Sequence, residues 1–260
     1  MTTNNDALPG ERQQKILALL GEHGRVLATD LAARFGVSED SVRRDLRELA
    51  ARGMCRRVYG GALSLVLDFA PLAQRQERQV DIKQLLARRA VQLVRPRQVL
   101  MIDAGSTNSA VADALPENLD LTVFTNAPDI AQRLIEKNGF EIYLIGGRID
   151  RRVGEAVGAQ TVDEIRRLRA DLCFPGACAI DVESGLWSMA SEEALIKRTM
   201  IECSGESVIV VSKEKLGTTA VTHVAPVGEI DHLVVEQDAD AELCKAFEQH
   251  GVAVHRAEPQ

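Results

Sequence analysis

The sequence lacks several features that would assign it to other classes of protein. Uninterrupted apolar runs, such as residues 208–211, are far too short to span a bilayer. Residues 1–10 are polar and lack the apolar core of a secretory leader. The five cysteines are scattered, without the spacing of a disulfide framework or a zinc site, which suits a reducing compartment. We therefore expect a cytoplasmic protein that holds no metal and no cofactor.

Charge is unevenly divided along the 260 residues, whose formal net charge is -7. Residues 1–63 hold ten Lys and Arg against eight Asp and Glu, whereas residues 64–260 hold twenty-one against thirty. Six of the arginines fall within residues 43–57. A fixed row of guanidinium groups suits a polyanionic backbone, and an acidic body helps to orient the approach of DNA. The alternative is a helical surface whose arginines are merely solvated.

The first fifty residues predict three helices. Residues 11–23 carry apolar side chains at helical spacing. Thr29 is expected to cap a second helix over residues 30–35, and Gly36 permits the left-handed backbone of a tight turn. Ser38 is then expected to cap a third helix. The spacing predicts a helix-turn-helix.

The third helix is amphipathic. Val42, Leu46 and Leu49 form one apolar stripe at i, i+4 and i+7. At about 100° per residue, the remaining surface carries polar and charged side chains, namely Asp40, Ser41, Arg43, Arg44 and Arg47. One buried stripe with serine and arginine on the other side suits a recognition helix in a major groove. A solvated surface helix is the alternative.

Residues 53–62 predict two short strands joined by a turn, a wing that follows the third helix. Arg56 and Arg57 lie on its rising edge. Such a hairpin is expected to reach the sugar-phosphate backbone beside the groove, which positions a protein without reading sequence.

This region resembles the winged helix-turn-helix of the DeoR-type bacterial transcription regulators. The resemblance covers residues 11–63 and is carried by E-R-Q-Q-K-I-L-A-L-L, by L-A-A-R-F-G-V-S-E-D-S-V-R-R-D-L-R-E-L and by R-V-Y-G-G-A. Two positions depart from the family pattern, since Thr is common where Ser41 stands and His where Tyr59 stands. A DNA-binding domain over residues 8–63 is implied, with these candidate contacts to an operator duplex: Thr29, Ser38, Ser41, Arg43, Arg44, Arg47, Arg56, Arg57 and Tyr59.

The rest of the chain predicts a linker and an α/β domain. Residues 64–76 are Pro-containing and are expected to be irregular, residues 77–260 form the domain, and residues 77–94 are helical by pattern. Strand-like apolar runs then alternate with amphipathic segments; the runs are residues 99–102, 121–125, 141–145, 172–174, 208–211, 232–235 and 252–255. This alternation favours a mainly parallel sheet.

Three polar turns follow the first three of these strands. Residues 103–107 (D-A-G-S-T) open a helix expected over residues 108–115, and residues 125–126 and 146–148 end the next two strands. Ligands of such sheets bind beyond the carboxyl ends of the strands, where a helix N-terminus supplies N–H donors for a dianion. The three turns together favour a phosphate-bearing ligand. Simple chain reversal is the alternative for each turn alone.

The body also resembles the sensor domain of the same regulators, which is related in fold to ribose-5-phosphate isomerase. The motifs are D-A-G-S-T, T-N, G-G-R, A-D-L-C-F-P-G-A, E-E-A-L-I-K-R and S-K-E-K-L-G. The resemblance implies these effector contacts: Asp103, Gly105, Ser106, Thr107, Thr125, Asn126, Gly146, Gly147, Arg148, Gly176, Glu193, Lys197 and Lys215. For Glu193 and Lys197 the alternative is an exposed i, i+4 ion pair. Lys83 also matches a family position and is expected to couple the two parts.

The alternatives differ in class. An isomerase needs a carboxylate base, and Pro175, Cys178 and Ala179 occupy the places where the isomerases carry acids. We therefore expect no enzyme but a sequence-specific DNA-binding transcriptional regulator, by resemblance an oligomeric repressor of a carbohydrate-utilisation operon controlled by a phosphorylated sugar or polyol. One alternative is an isomerase-like enzyme with an appended DNA-binding module. Another is a DNA-binding scaffold that has lost its ligand.

Overall fold

The computed structural model describes residues 9–23, 25–52, 54–58, 60–64 and 71–258. The chain divides into two compact units, Met1–Phe69 and Ala70–Gln260. Among the described residues, no helix combines the length and the apolarity needed to cross a membrane.

The first unit is a winged helix-turn-helix, as the sequence predicts. Its elements are α1 (Pro9–His23), β1 (Arg25–Leu27), α2 (Ala28–Phe35), α3 (Glu39–Ala51), β2 (Cys55–Val58) and β3 (Gly61–Ser64). The strands form an antiparallel sheet in the order β1-β3-β2. Ile16 and Leu20 of α1 pack with the stripe of α3 in one hydrophobic core. Gly36 ends α2 in the left-handed conformation (φ 65°), and the expected tight turn is confirmed.

The expected cap at Thr29 is wrong. Helix α2 begins one residue earlier, at Ala28, and Leu27 occupies the capping position. The Ala28 N–H donates to the carbonyl of Gly60 at 2.7 Å. This distant carbonyl satisfies one of the N–H groups at the start of the helix that have no partner within it. Thr29 therefore lies inside the first turn.

The second unit is an α/β domain. Its helices are α4 (Leu72–Glu77), α5 (Val80–Ala90), α6 (Ser106–Ala114), α7 (Pro128–Ile135), α8 (Ala159–Arg166), α9 (Ser191–Glu202) and α10 (Ala241–Gln249). Its strands are β4 (Val99–Ile102), β5 (Leu121–Thr125), β6 (Phe140–Leu144), β7 (Arg148–Asp150), β8 (Glu155–Val157), β9 (Ala170–Phe174), β10 (Ala179–Asp181), β11 (Gly185–Ser188), β12 (Ser204–Val210), β13 (Thr222–Ala225), β14 (His232–Glu236) and β15 (Ala253–Ala257).

A seven-stranded parallel sheet forms the centre of this domain, in the order β15-β14-β12-β9-β4-β5-β6. All seven strand predictions are confirmed, with ends shifted by up to four residues. Successive side chains alternate between faces: Leu100 and Ile102 pack with α5, α6 and α7, whereas Met101 packs with α8 and α9. The strands β10, β11 and β13 form a small antiparallel sheet, and β7 and β8 form a hairpin. The sequence did not indicate these two additions.

The segment expected to be an irregular linker is partly helical, because α4 occupies Leu72–Glu77. The single helix expected over residues 77–94 is also interrupted. Gln79 takes a left-handed conformation (φ 50°) between α4 and α5, and a short 3-10 turn, Val91–Leu93, follows α5. The linker expectation failed because the contacts that hold α4 come from residues distant in sequence.

Candidate DNA interface and effector site

Helix α3 presents the surface expected of a recognition helix. Its stripe of Val42, Leu46 and Leu49 is buried. The Ser38 hydroxyl accepts from the Ser41 N–H at 3.3 Å, so the predicted cap is confirmed. The Ser41 hydroxyl lies 3.0 Å from the Ser38 hydroxyl. The start of the helix is thus fixed by two serines, which also lie where a helix entering the groove begins its base contacts.

The arginines of α3 differ in how they are engaged. Arg43 is exposed and pairs within the helix with Glu39 at 2.7 Å and Asp40 at 3.6 Å. Arg44 and Arg47 are also exposed, and within the described part of the chain neither is engaged in an ion pair. Their guanidinium groups can therefore contact a phosphate or a guanine edge without first breaking an ion pair with a described residue.

A buried ion pair fixes the back of α3 to α1. Arg12 donates to both carboxylate oxygens of Asp45, with Nε at 2.5 Å and a second nitrogen at 3.2 Å. The Asp45 side chain is only 4% exposed. Bidentate contact of this kind sets orientation as well as distance. This pair was not predicted, because Asp45 looks like one more charged residue among the arginines of the sequence.

The remaining DNA candidates lie at the edges of this unit. Thr29 is exposed, and its hydroxyl donates to Asp30 at 3.3 Å. Arg57 is exposed on β2. Arg56 lies on the same strand, but its side chain lies outside the described part of the chain, as does the whole of Tyr59. The wing itself, β2 paired with β3, is confirmed.

In the second unit, several effector candidates meet where β4 and β9 end. Asp103 follows β4 and is fully buried. Its Oδ2 accepts from the Gly176 N–H at 2.8 Å and from Lys197 Nζ at 3.0 Å. Asn108 of α6 joins the two strand ends, since its side-chain amide donates to the carbonyls of Asp103 (2.9 Å) and Phe174 (2.8 Å).

Lys197 stands between two buried carboxyl groups. Its Nζ lies 3.8 Å from Glu155 Oε2 in addition to its contact with Asp103. Burial lowers the pKa of the Lys197 ammonium, but the Asp103, Glu155 and Glu193 carboxylates raise it more, and the net pKa lies above the ordinary value. Burial raises the pKa of Glu155 well above its usual range, opposed by Lys197 and reinforced by Asp103. Glu155 therefore holds a proton more readily than an ordinary glutamate does.

Glu193 and Lys197 do not form an exposed ion pair, so that alternative is wrong. Both side chains are buried. Glu193 accepts from Arg152 at 2.7 Å and from the Ser188 hydroxyl at 2.9 Å. Successive turns of α9 therefore place the two residues in one buried network and not in contact with water.

The turn after β5 has a structural role. The Thr125 hydroxyl donates to the carbonyl of Ile102 at 2.6 Å and accepts from the Ala127 N–H at 3.1 Å. Asn126 is buried, its carbonyl accepts from the Ala156 N–H at 2.8 Å, and its side-chain amide donates to the Ala156 carbonyl at 3.4 Å. These bonds hold β8, and with it Glu155, against the end of β5.

The turn after β4 leads into α6 as predicted, two residues earlier than expected. Gly105 has a φ of 146° at the capping position, and a Cβ there would meet no atom within 4 Å. Ser106 and Thr107 form the first turn of α6 and are half-buried. This helix N-terminus offers N–H and hydroxyl donors beside open space, the requirement for an anion site.

The turn after β6 is held by α8. The Gly146 N–H donates to Glu164 at 3.3 Å, and its carbonyl accepts from the Thr161 hydroxyl at 2.9 Å. A Cβ on Gly147 would lie 2.1 Å from that hydroxyl oxygen, so only glycine fits. Arg148 is largely exposed and pairs with Glu192 at 2.5 Å.

The turn after β9 completes the edge. A Cβ on Gly176 would lie 2.6 Å from the carbonyl of Ala104 and 2.9 Å from Asp103 Oδ2. Lys215, on a 3-10 turn, donates to the carbonyl of Ala177 at 2.7 Å. Asp181 lies apart from this turn: it accepts from the N–H groups of residues 183 and 184 and from the Ser184 hydroxyl, a role in closing the β10–β11 hairpin.

Sequence reasoning missed Glu155 and Arg152. Glu155 lies in a three-residue strand outside any motif, and nothing local distinguishes it from a surface glutamate. Arg152 follows Arg151 in a turn and looks like part of a solvated charged pair. Only the fold shows that both belong to the network around Lys197. Lys83, expected to couple the two parts, donates to the carbonyls of Arg75 and Arg78 near the end of α4.

A winged helix-turn-helix joined to an α/β domain with a polar strand edge is the architecture of a ligand-responsive DNA-binding regulator. Residues 12–66 match the DeoR-like helix-turn-helix domain, and residues 78–237 match the DeoR C terminal sensor domain. The chain belongs to the DeoR family of transcriptional regulators.

Two curated relatives span nearly the whole chain. The HTH-type transcriptional regulator GlpR of Haloferax volcanii is 34% identical over 95% of this chain and 97% of that protein. The glycerol-3-phosphate regulon repressor of Escherichia coli K12 is 30% identical over 93% of this chain and 96% of that protein. A solved D-ribose-5-phosphate isomerase in complex with phospho-erythronic acid is 17% identical, with a TM-score of 0.39 over 53% of this chain and 54% of that chain.

Proposed function

We propose that this protein is a repressor whose affinity for operator DNA is controlled by a phosphorylated sugar or polyol bound at the carboxyl edge of the parallel sheet. The glycerol-3-phosphate regulon repressor, 30% identical over 96% of its own length, supports this assignment of ligand class. Residues 8–63 would bind DNA through α3 and the wing, and residues 77–260 would bind the effector. Two copies of the DNA-binding unit in an oligomer would engage repeated half-sites.

The observation that carries the proposal is the start of α6. Gly105, Ser106 and Thr107 present N–H and hydroxyl groups beside open space, and a buried ammonium, Lys197, is bound to the neighbouring Asp103. A helix N-terminus attracts a dianion through its unpaired N–H groups and its dipole. We assign the phosphate of the effector to this turn.

Three buried hydrogen-bond acceptors support the proposal that the rest of the effector carries hydroxyl groups. Asp103 Oδ1, Asn126 Oδ1 and Glu155 Oε1 have no hydrogen-bond partner among the described residues. Buried acceptors without donors are costly, and a bound hydroxyl group is a donor. The remaining candidate contacts, among them Gly176 and Lys215, would shape the same edge.

A second candidate function is an isomerase-like activity on a sugar phosphate. One observation favours it: Glu155 is a buried carboxyl group with a raised pKa beside Lys197, and such groups act as acids or bases in active sites. The regulator is favoured because both family matches and both curated relatives are regulators. Incubation with ribose 5-phosphate and other phosphosugars distinguishes the two, since the regulator is expected to leave them unchanged.

The first test is a thermal-shift screen against phosphorylated sugars, polyols and sugar acids. A ligand that binds only the folded protein raises the melting temperature by mass action. At a ligand concentration about one hundred times the dissociation constant, it raises the free energy of unfolding by about 2.7 kcal/mol. The strongest ligand is then added to the protein bound to a duplex selected from a random-sequence pool. Release of the duplex is expected, and a ligand that stabilises the protein but leaves DNA binding unchanged would contradict the proposal.

Thr107→Asp tests the anion site directly. An aspartate in the first turn of α6 places a negative charge where the phosphate would bind, so the thermal shift and the DNA response should be lost while binding to the duplex persists. Gln92→Glu is the matched control, because it adds one negative charge at an exposed position on the turn after α5. A normal response in Thr107→Asp would remove the assignment of the phosphate to this turn.

A further inference from the structure

Helix α4 is the first element of the sensor unit, two residues after the boundary with the DNA-binding unit. Its start is docked on the turn between β7 and β8. The Leu72 N–H donates to the carbonyl of Arg152 at 3.2 Å. A Cβ on Gly154 would lie 2.7 Å from a methyl carbon of Leu72, so the glycine leaves room for this side chain.

The same turn reaches into the buried network around Lys197. The Arg152 guanidinium donates to Glu193 at 2.7 Å, and Glu193 also accepts from Ser188. The backbone of Arg152 therefore holds α4 while its side chain holds a carboxylate of the candidate effector site. A displacement of Glu193 on ligand binding would therefore be transmitted to α4 through the single residue Arg152.

The other end of α4 is docked on α6 and α7. The side-chain amide of Gln76 donates to the Ser109 hydroxyl at 3.1 Å and to Asp129 Oδ2 at 3.0 Å. A primary amide has two N–H hydrogens, which these two acceptors use. Gln76 is half-buried, whereas Gln74 on the same helix is exposed.

Ser109 connects this contact to the anion turn. Its oxygen lies 3.0 Å from the carbonyl of Gly105 and 2.8 Å from Asp129 Oδ2. A hydroxyl group has one hydrogen, so Ser109 donates to only one of these acceptors at a time. When Ser109 donates to the Gly105 carbonyl, Gln76 alone of the two side chains donates to Asp129 Oδ2. When Ser109 donates to Asp129, both side chains share that carboxylate oxygen.

We propose that α4 is the element that transmits effector binding to the DNA-binding unit, with Gln76 as its coupling residue. The proposal rests on the proposed function. An anion bound at the start of α6 interacts with the backbone of Gly105. This interaction changes which acceptor receives the hydrogen bond of the Ser109 hydroxyl, and thereby changes the hydrogen bonds that hold Gln76. At the other end, a change at Glu193 acts through Arg152 on Leu72. Two states of α4, docked and released, would then have different affinities for the ligand, as linkage requires.

The matched variants are Gln76→Ala and Gln74→Ala. Both remove the same side chain from the same helix, but only the first removes the contacts with Ser109 and Asp129. Ser109→Ala is the second variant; alanine favours helices, so α6 is retained. None of these residues is among the candidate effector contacts, and effector binding is expected to persist in all three variants.

Hydrogen exchange of the full chain supplies the measurement, with glycerol 3-phosphate and inorganic phosphate as probes. In the unmodified protein and in Gln74→Ala, the probe should slow exchange at residues 105–109 and change exchange at residues 72–78. In Gln76→Ala and Ser109→Ala, the effect at residues 105–109 should remain and the effect at the C-terminal end of α4, residues 76–78, should disappear. With a selected duplex, the probe should change DNA affinity by about 5- to 150-fold in the unmodified protein and by less than about twofold in Gln76→Ala.

The outcomes separate this inference from the function on which it rests. Protection at residues 105–109 without any change at residues 72–78 would overturn the role of α4 and leave the anion site intact. An unaltered response in Gln76→Ala and Ser109→Ala would do the same. Absence of protection at residues 105–109 with both probes would overturn the anion site and the coupling together.

Discussion

Lys197 Nζ lies 3.0 Å from Asp103 Oδ2, and both side chains are almost completely buried. The pair joins α9 to the end of β4, and Glu155 adds a second carboxyl group at 3.8 Å. Removal of ions from water is expensive, and mutual attraction offsets this cost only where the geometry is good. The loss of one partner of such a pair therefore destabilises the folded protein strongly.

Lys197→Met should lower the free energy of unfolding of the sensor unit by about 3–5 kcal/mol, the usual cost of leaving a buried charge without its partner. Chemical denaturation monitored by circular dichroism measures this loss. Lys245→Met, at an exposed position of α10, should change stability by less than about 0.5 kcal/mol. A small effect in Lys197→Met would contradict the role of the Lys197–Asp103 pair in holding α9 to the end of β4.

Stability should also depend on pH through Glu155, whose pKa is raised chiefly by burial. A raised carboxyl pKa favours the folded state below the unfolded value, about 4.3, and this contribution is lost as pH rises through the folded pKa. The unmodified protein should therefore lose stability across that window, and Glu155→Gln should lose less. Denaturation at a series of pH values upward from about 4.3 measures the two slopes. Glu229→Gln, at an exposed position, should keep the slope of the unmodified protein.

The central sheet was predictable because parallel strands covered on both faces are continuous apolar runs. Residues 99–102 and 208–211 are such runs; residues 99–102 form β4, and residues 208–210 lie in β12. The strands β10 and β8 were missed because each has three residues and a charged end, Asp181 or Glu155. At that length a strand pattern does not differ from a turn.

The candidate site divides in the same way. The turn at Gly105 was predictable, since glycine, hydroxyl groups and a helix start are adjacent in sequence. The contact of Lys197 with Asp103 and the contact of Arg152 with Glu193 were not, because each joins residues that only the fold brings together. The wrong cap at Thr29 has the same origin, since the start of α2 is bonded to a carbonyl of the wing that is distant in sequence.

The DNA-binding unit should depend on the Arg12–Asp45 pair. Arg12→Met leaves Asp45 buried without its bidentate partner and should lower the free energy of unfolding by about 3–5 kcal/mol. Arg43→Met breaks an exposed pair with Glu39 and should cost at most about 1 kcal/mol. Denaturant titration of the full chain, followed by hydrogen exchange of α1 and α3, assigns the loss to this unit. Equal effects in the two variants would contradict the dominant role of the buried pair.

Gly176→Ala should disturb the effector site from within. The new Cβ would lie 2.6 Å from the carbonyl of Ala104 and 2.9 Å from Asp103 Oδ2, so the end of β4 must shift. Overpacking of this kind costs about 1–3 kcal/mol, and the thermal shift with the best ligand should shrink. Gly228→Ala is the control, because a Cβ there meets no atom within 4 Å. Full ligand affinity in a destabilised Gly176→Ala would place the effector away from Asp103.

Arg44 tests whether α3 reads bases or only holds phosphates. If its exposed guanidinium contacts a guanine, Arg44→Ala should weaken binding to a selected duplex by about 1–3 kcal/mol. Arg44→Lys keeps the charge but loses the two-pronged contact, so affinity for the selected duplex should still fall while affinity for an unrelated duplex stays near that of the unmodified protein. Fluorescence anisotropy over a series of salt concentrations measures both, since the loss of a phosphate contact lowers the salt slope and the loss of a base contact does not. If the lysine variant bound the selected duplex as well as the unmodified protein, Arg44 would be a phosphate contact, and recognition would rest on other side chains of α3.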